Sequence, residues 1–563
     1  MRIYSSPLPP VHLPEVPIFD YVSCTEGSSL YAVAFIDGPT GEALTRRDVL
    51  RTARNFARGL MHLKDLSLLP MRRGNTVTIL SPNSLAFPIA TLGLIAAGVR
   101  VAFASSASEV KGLVHVLRLT GSSHVLVHPT LLSLTISAWR SLGLNDNDAK
   151  ARTILLASSS MAPVVWEDSY IDIDQITSLA YVHASYEGQE FSASSASKLH
   201  TNLDSVGTTG LPKAINLCHS NVTSVLAQCS GAWTYYDPSQ DHIIAVIPFF
   251  HIFGGILLLF HAFKTGVPVV VMPTFEPLSF LSAIGKYRIT VACLVPPLLD
   301  LLALHPIVDR YDTSSLRIAI VGGANVRESS ILMAMKRHMR EGVSLQVLQA
   351  FGLTEMSGCV SFMPPGHILD KIGSVGLLLP NVQCRFVGTD GIDVPEGEPG
   401  ELWLKGPNAM KGYLNNPEAT EAAMASDGWF KTGDIAKQDR DGFLMLIDRK
   451  EDLVKYKSYQ VPPSEIEALL ASHPAVADAC VIGTYCTEEK TELLRAYIAP
   501  RASLRSQATS VTEFVKAIQD WVTDRVDDYK RLRGGVVLVE AIPRSAAGKI
   551  LRKDIHTAMR ITV

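Results

Sequence analysis

The sequence predicts an α/β fold made of a large first domain and a small second one. Three observations carry this. Short apolar runs alternate with helical periodicities along the chain, the pattern of a parallel sheet covered by helices. At 563 residues the chain exceeds one typical domain. After Arg449 the composition shifts to the densely charged Lys450-Glu451-Asp452-Leu453-Val454-Lys455-Tyr456-Lys457, as expected of an exposed linker.

In chain order, residues 31–37 alternate weakly and run into Gly-Pro-Thr-Gly, a strand and a turn. Residues 45–63 have helical periodicity. Residues 77–80 form a short apolar strand, and Ser81-Pro82-Asn83-Ser84 opens a helix over 85–97. Strands at 99–104 and 125–128 flank a helix over 109–119. Residues 140–200 are the least legible part and end near a Ser/Ala run at 192–197. Ser220 is placed to cap a helix reaching Cys229. Residues 243–250 read as a buried strand, as do 267–272, 291–295 and 318–321. The most apolar window, 243–263, contains Pro248, His251, Gly254, Gly255 and His261, which suits buried core rather than a membrane span. Beyond the linker, Ser464 and Glu467 have capping-box spacing. A strand at 479–482, a helix over 511–526 and a strand at 536–539 complete a small α/β unit.

Composition narrows the function classes. A formal charge of −3 gives no general attraction to nucleic acid or acidic membrane. The eight cysteines are scattered without a Cys-x-x-Cys pair, which argues against a zinc site or a disulfide framework and fits a reducing compartment. The proline-rich residues 1–20 lack a basic segment followed by an apolar run, so no signal peptide is read there. Ile561-Thr562-Val563 is not a Ser-Lys-Leu address, which favours the cytosol.

The chemistry starts at Leu203-Asp204-Ser205-Val206-Gly207-Thr208-Thr209-Gly210-Leu211-Pro212-Lys213. Glycines let backbone approach a ligand closely, and successive N–H groups in such a turn form a concave anion site. Three hydroxyls add donors and Lys213 adds a mobile positive charge. This is a phosphate cradle, but its spacing is not that of a Walker loop.

Four further stretches follow. They are Ile247-Pro248-Phe249-Phe250-His251-Ile252-Phe253-Gly254, Gln349-Ala350-Phe351-Gly352-Leu353-Thr354-Glu355, Gly400-Glu401-Leu402-Trp403 running to Gly412-Tyr413-Leu414, and Pro543-Arg544-Ser545-Ala546-Ala547-Gly548-Lys549. With the glycine loop, in this order, they resemble the AMP-forming acyl-adenylating superfamily. That superfamily includes acyl-CoA synthetases, 4-coumarate–CoA ligases, firefly luciferase and peptide-synthetase adenylation domains. The resemblance spans nearly the whole chain. It implies an adenylate-forming domain over 1–448 and a mobile α/β lid over 449–563, with the hinge near Glu451.

The resemblance implies residue roles. Ser205, Gly207, Thr208, Thr209, Gly210 and Lys213 would hold the ATP phosphates. Glu355 and Thr208 would hold Mg²⁺, and Thr354 would contact phosphate. Gly322, Gly323 and Ala324 would lie along adenine and the acyl group, and Ala350, Phe351 and Gly352 would also bind the cofactor; Phe351 stands where relatives usually carry the tyrosine that stacks on adenine. Asp434 would bind both ribose hydroxyls and Arg449 ribose and phosphate. His251, Phe253, Leu257, Ala319, Val321, Gly323, Ala350 and Cys359 would border the acid. Residues 400–414 read as scaffold. Lys455, Ser458 and Gln460 would line the coenzyme A route. Lys549, on a mobile loop, would carry adenylation.

The implied reaction has two steps. A carboxylate attacks the α-phosphate of ATP and pyrophosphate leaves; the lid then rotates about Glu451, and a thiol, usually that of coenzyme A, displaces AMP. Three departures stand out: Ser205-Val206 replaces Ser-Ser or Ser-Gly, Ala214 replaces a common glycine and stiffens that turn, and Ser458 replaces the glycine beside which pantetheine passes. Ser458 favours the alternative acceptor, the thiol of a separate carrier protein. Phe253, Leu257 and Ala319 are apolar where hydroxycinnamate ligases include polar groups. An unsubstituted aryl acid or a short- to medium-chain fatty acid is therefore expected.

Overall fold

The computed structural model describes residues 1–24, 29–157, 171–183, 201–205, 213–232, 236–340, 342–457, 459–501, 511–544 and 550–557. Two helix-covered sheets dominate the first 380 or so residues. One has seven strands, in the order Lys213–Leu217, Thr201–Ser205, Arg100–Ala104, Thr76–Leu80, His124–Val127, Thr153–Leu155, Ile171–Asp172. All neighbours in it are parallel except the outermost pair, Lys213–Leu217 on Thr201–Ser205.

The second sheet has six parallel strands at its centre, ordered Gln346–Phe351, Ile318–Val321, Val291–Leu294, Ile243–Ala245, Val269–Val271, Val33–Asp37. Antiparallel strands close both its ends. The central strands are continuous Val/Ile/Leu/Ala runs because helices bury both their faces. A third, antiparallel sheet joins Tyr4–Ser5, Gln383–Val387, Gly400–Lys405, Phe430–Gln438 and Leu444–Arg449. One apolar core runs through all three sheets as far as Leu444.

Two separate apolar clusters lie beyond residue 453. They fill a small unit built on the sheet Val476–Cys486, Thr491–Pro500, Val536–Leu538. The helices Pro463–Ala471 and Val511–Thr523 and the hairpin Val454–Tyr456/Tyr459–Val461 complete it.

Several local expectations are corrected. The 45–63 helix is α-helical only over Arg46–Gly59 and continues as a 3₁₀ turn over Leu60–Leu66. Gly59 is the reason for the close helix contact there: a Cβ on it would stand 1.9 Å from the Ile176 carbonyl oxygen. The strand expected over 243–250 stops at Ala245. Asn83 takes over its backbone partners, donating to the Ala245 and Ile247 carbonyls at 3.3 and 3.0 Å and accepting from Phe249 N at 2.7 Å. Ser220 sits inside its helix, His219–Ala232, rather than capping it; Asn221 Oδ1 accepts from Cys218 N instead. Ser464 and Glu467 form no capping box. Ser464 Oγ donates to Ile447 O, and Glu467 is engaged by Arg552. The charged linker is only partly exposed, since Leu453, Val454 and Tyr456 are buried. The 243–263 window is buried, and among the described residues no helix is long and apolar enough to cross a membrane.

Candidate active site

Two paired strands flank the glycine stretch. Thr201–Ser205 and Lys213–Leu217 pair antiparallel, with Lys213 opposite Ser205. Residues Gly207, Thr208, Thr209 and Gly210 lie between them, outside the described residues, as does the Ser205 side chain. Ala214 is therefore a buried strand residue and stiffens no turn. Lys213 projects its Nζ to 4.9 Å from the Tyr413 ring centroid. Tyr413 Oη donates to Glu355 Oε1 at 3.0 Å. Burial, and then the Glu355 carboxylate beside it, push the Tyr413 phenol well up, so it stays a donor. Backbone fixes the same group: Leu414 N donates to Ala214 O at 2.8 Å and Met410 N to Glu355 O at 2.7 Å. The Thr201–Ser205 strand lies against the turn Thr354–Met356.

The parallel strand Ile318–Val321 delivers Gly322, Gly323 and Ala324 at its carboxyl end, where such sheets bind ligands. Gly323 adopts φ +87°, a left-handed conformation that favours glycine. A Cβ on Gly322 would meet Ala350 O at 2.9 Å and Phe253 Cε1 at 3.8 Å, so three expected residues converge there. Ala319 and Val321 are fully buried in that strand, and Phe351, at the end of Gln346–Phe351, is buried too. Gly352 permits the next turn: a Cβ there would stand 1.5 Å from the Gly358 carbonyl oxygen. Asn408 holds that turn, donating to the Met356 and Cys359 carbonyls at 2.9 and 3.2 Å.

His251 lies at the start of a turn seated on Pro248, whose carbonyl oxygen would be 2.2 Å from a Cβ on Gly254. Its Nδ1 accepts from Phe253 N at 3.3 Å. Burial pushes its pKa down to about 4, so it is neutral at pH 7. Leu257 is buried in the π-helix Gly254–His261, a wide turn common at functional sites. Cys359 is buried and hydrogen-bonded to Cys229; both that bond and burial push the Cys229 thiol up. The Cys229 thiol therefore stays neutral and behaves as a small apolar group.

Asp434 and Arg449 are opposite each other on Phe430–Gln438 and Leu444–Arg449. Arg449 Nε lies 2.7 Å from Asp434 Oδ1. Glu451 follows in a turn whose Lys450 Nζ meets Glu401 at 2.9 Å. Lys455 and Gln460 face each other across a hairpin of the small unit, and Lys457 between them has φ +53°. Ser458 and Lys549 lie outside the described residues.

Tyr413 is the residue sequence reasoning missed, since the stretch containing it reads as scaffold. No local signal marks it; its contacts arise from residues 58 and 200 positions away. The group as built offers a carboxylate, an ammonium and a phenol next to the paired strands Thr201–Ser205 and Lys213–Leu217, while Phe253 reaches the glycine turn at Gly322. That suits a phosphate anion with an apolar acid next to it.

Comparison with known proteins shows the family and the fold. The family described as AMP-binding enzyme matches residues 27–414, and its C-terminal domain family matches 465–549. The chain is 32% identical to a probable 4-coumarate–CoA ligase 1 of Dictyostelium discoideum, covering 98% of this chain and 97% of that protein. Among solved structures, ATP-bound MatB from Rhodopseudomonas palustris superposes with a TM-score of 0.79 at 20% identity, covering 96% of this chain and 98% of that one. The o-succinylbenzoate CoA synthetase MenE of Bacillus subtilis, in complex with its acyl-adenylate, gives 0.74 at 23% identity, covering 98% and 100%.

Proposed function

This chain belongs to the AMP-binding enzyme family of adenylate-forming acid–CoA ligases, and on that premise we propose which acid it activates and which residues do the work. The acid is an apolar one, an unsubstituted aryl acid or a short- to medium-chain fatty acid. The observation that carries this is the make-up of the expected acid-bordering wall, of which Phe253 reaches Gly322. Phe253, Leu257, Ala319 and Val321 carry no side-chain hydrogen-bonding group. A hydroxyl on the substrate would be left unpaired against such a wall, at a cost in rate. The substrates named for 4-coumarate–CoA ligases are thus poor candidates for this chain.

In the first step an acid oxygen bonds to the α-phosphorus of ATP and the bond to pyrophosphate breaks. Both reactants are anions, so the protein must position them and offset their charge. Gly207, Thr208, Thr209, Gly210 and Lys213 hold the β- and γ-phosphates. Asp434 and Arg449 hold ribose, Phe351 stacks on adenine, and Lys549 bridges acid and α-phosphate. Mg²⁺ suits the Glu355 carboxylate, because this ion takes one or two carboxylates and completes its shell with phosphate oxygens and water. When bound it would neutralise phosphate charge. Tyr413 fixes the Glu355 carboxylate and steadies Lys213. In the second step the sulfur of coenzyme A, having lost its proton, bonds to the acyl carbon and AMP leaves. We place the enzyme in the cytosol, a reducing compartment that suits eight free thiols.

A panel of carboxylic acids tests this, with pyrophosphate release and acyl-CoA formation followed in parallel for wild type and Lys549→Ala. Turnover should peak on an apolar acid and be lost in the variant. A peak on 4-coumarate or caffeate would overturn the substrate assignment. Pyrophosphate release without acyl-CoA would move the acceptor to a carrier-protein thiol.

A further inference from the structure

The chain on both sides of the segment that carries Lys549 is pinned by charge. Arg544 and Ile550, the described residues on either side of 545–549, form an isolated antiparallel bridge. Downstream, Arg552 is held by Glu467 at 3.0 Å and by Asp452, one residue past Glu451, at 3.3 Å. Upstream, Arg544 Nη2 grips both oxygens of Asp478 at 2.9 Å. All these partners belong to the small unit or its hinge.

Asp478 also reaches the large domain. Asp478 Oδ1 is 3.8 Å from Arg327 Nη2, and the same arginine is 3.4 Å from Asp300 Oδ2. Asp300 in turn accepts from Ser330 Oγ. Arg327 lies three residues past Ala324, between the glycine turn and the helix Glu328–Arg340. Charges therefore alternate in sign from the large domain into the lid: Asp300, Arg327, Asp478, Arg544. Their side chains are 25, 29, 26 and 26% exposed. Water reaches such pairs, so each shifts an equilibrium several-fold rather than locking it. That strength suits a contact that must form and break in every turnover.

We propose that Arg327 is a positioning residue for the first half-reaction. Through Asp478 and Arg544 it docks the base of the Lys549 segment beside the glycine turn. The proposal rests on the two-step reading above. Rotation of the lid takes Asp478 away from Arg327, so acyl transfer proceeds without the contact.

The test uses the full chain as wild type, Arg327→Ala and Arg327→Lys, with the acid that wild type turns over best. Acid-dependent exchange of pyrophosphate into ATP reads the first half-reaction. Conversion of the synthetic acyl-adenylate by coenzyme A reads the second. Arg327→Ala should lower kcat of exchange about fivefold, with KM for ATP and acid held within about twofold, and leave acyl transfer unchanged. Arg327→Lys should restore most of the loss. Higher ionic strength should bring wild-type exchange down towards the alanine variant. Equal losses in both half-reactions, or undiminished exchange, would overturn the proposal. A donor and acceptor dye on either side of the hinge give a readout free of chemistry: Arg327→Ala should deplete the docked-lid population, and an unchanged distribution would also overturn it. A wild type inactive in both half-reactions would defeat the two-step reading, while the dye measurement still decides the role of Arg327.

Discussion

Tyr413 donates to Glu355 at 3.0 Å while its ring carries the Lys213 ammonium at 4.9 Å, so one side chain orders an anion and a cation at once. Tyr413→Phe keeps the ring and removes the donor. The rate of pyrophosphate release should fall about tenfold, the worth of a hydrogen bond to a charged group, with little change in Tm. An unaltered rate would remove Tyr413 from the site.

Gly352 and Gly121 make a matched pair of glycine tests. A Cβ at Gly352 would collide with the Gly358 carbonyl oxygen at 1.5 Å, and backbone there is held by Asn408. Gly121 ends a helix at φ +61° with nothing within 4 Å. Gly352→Ala should cost more than about 3 kcal/mol, and Gly121→Ala about 1 kcal/mol. Denaturant unfolding of the two variants would show the difference; equal costs would contradict the packing described.

Arg552 and Glu467 form the most enclosed ion pair of the small unit's described residues, at 17 and 13% exposure. Desolvation raises the Glu467 pKa despite the opposing pull of Arg552. Arg552→Met leaves that carboxylate without its counter-charge and should destabilise the lid by about 3–5 kcal/mol. Adding Glu467→Gln should recover part of the loss. Hydrogen exchange over 463–500 would report both, and a single variant no weaker than the double would refute the assignment.

Burial holds His124, His219 and His261 near a pKa of about 4. Their ordinary value is about 6.5, so the unfolded chain binds these protons first as pH falls. The stability they contribute is complete above about pH 6.5 and is lost as pH drops towards 4. His219 has a specific stake, because its Nδ1 accepts from Ile18 N at 3.1 Å and cannot do so once protonated. The urea midpoint should fall through this window, and His124→Gln should flatten the slope. A pH-independent midpoint would show the histidines titrating normally.

The parallel strands were the legible part of the fold. Residues 318–321 read as a strand to the residue, because a run buried on both faces needs no partner to be recognised. What misled was competition for backbone. The apolar run after Ile243 looks like one strand, but Asn83, more than 160 residues away, captures its later carbonyls. Ser464 and Glu467 have the spacing of a capping box, yet both are taken by tertiary partners. The same holds at the site. Lys213 and Glu355 stand out by their motifs, whereas Tyr413 gains meaning only when residues 213, 355 and 413 meet.

The strand order also dictates when the chain can fold during synthesis. Val33–Asp37 pairs with Val269–Val271, and Tyr4–Ser5 with Gln383–Val387. Tyr4–Ser5 must therefore wait for a partner some 380 residues downstream, and Val33–Asp37, paired early on one edge with Ala43–Thr45, must wait some 230 for its other edge. The strand Lys213–Leu217 waits as well, since its outer edge is completed by residues 411–414. A nascent chain stalled before that point exposes open sheet edges of Val and Ile, the surface that chaperones bind and that aggregates form on.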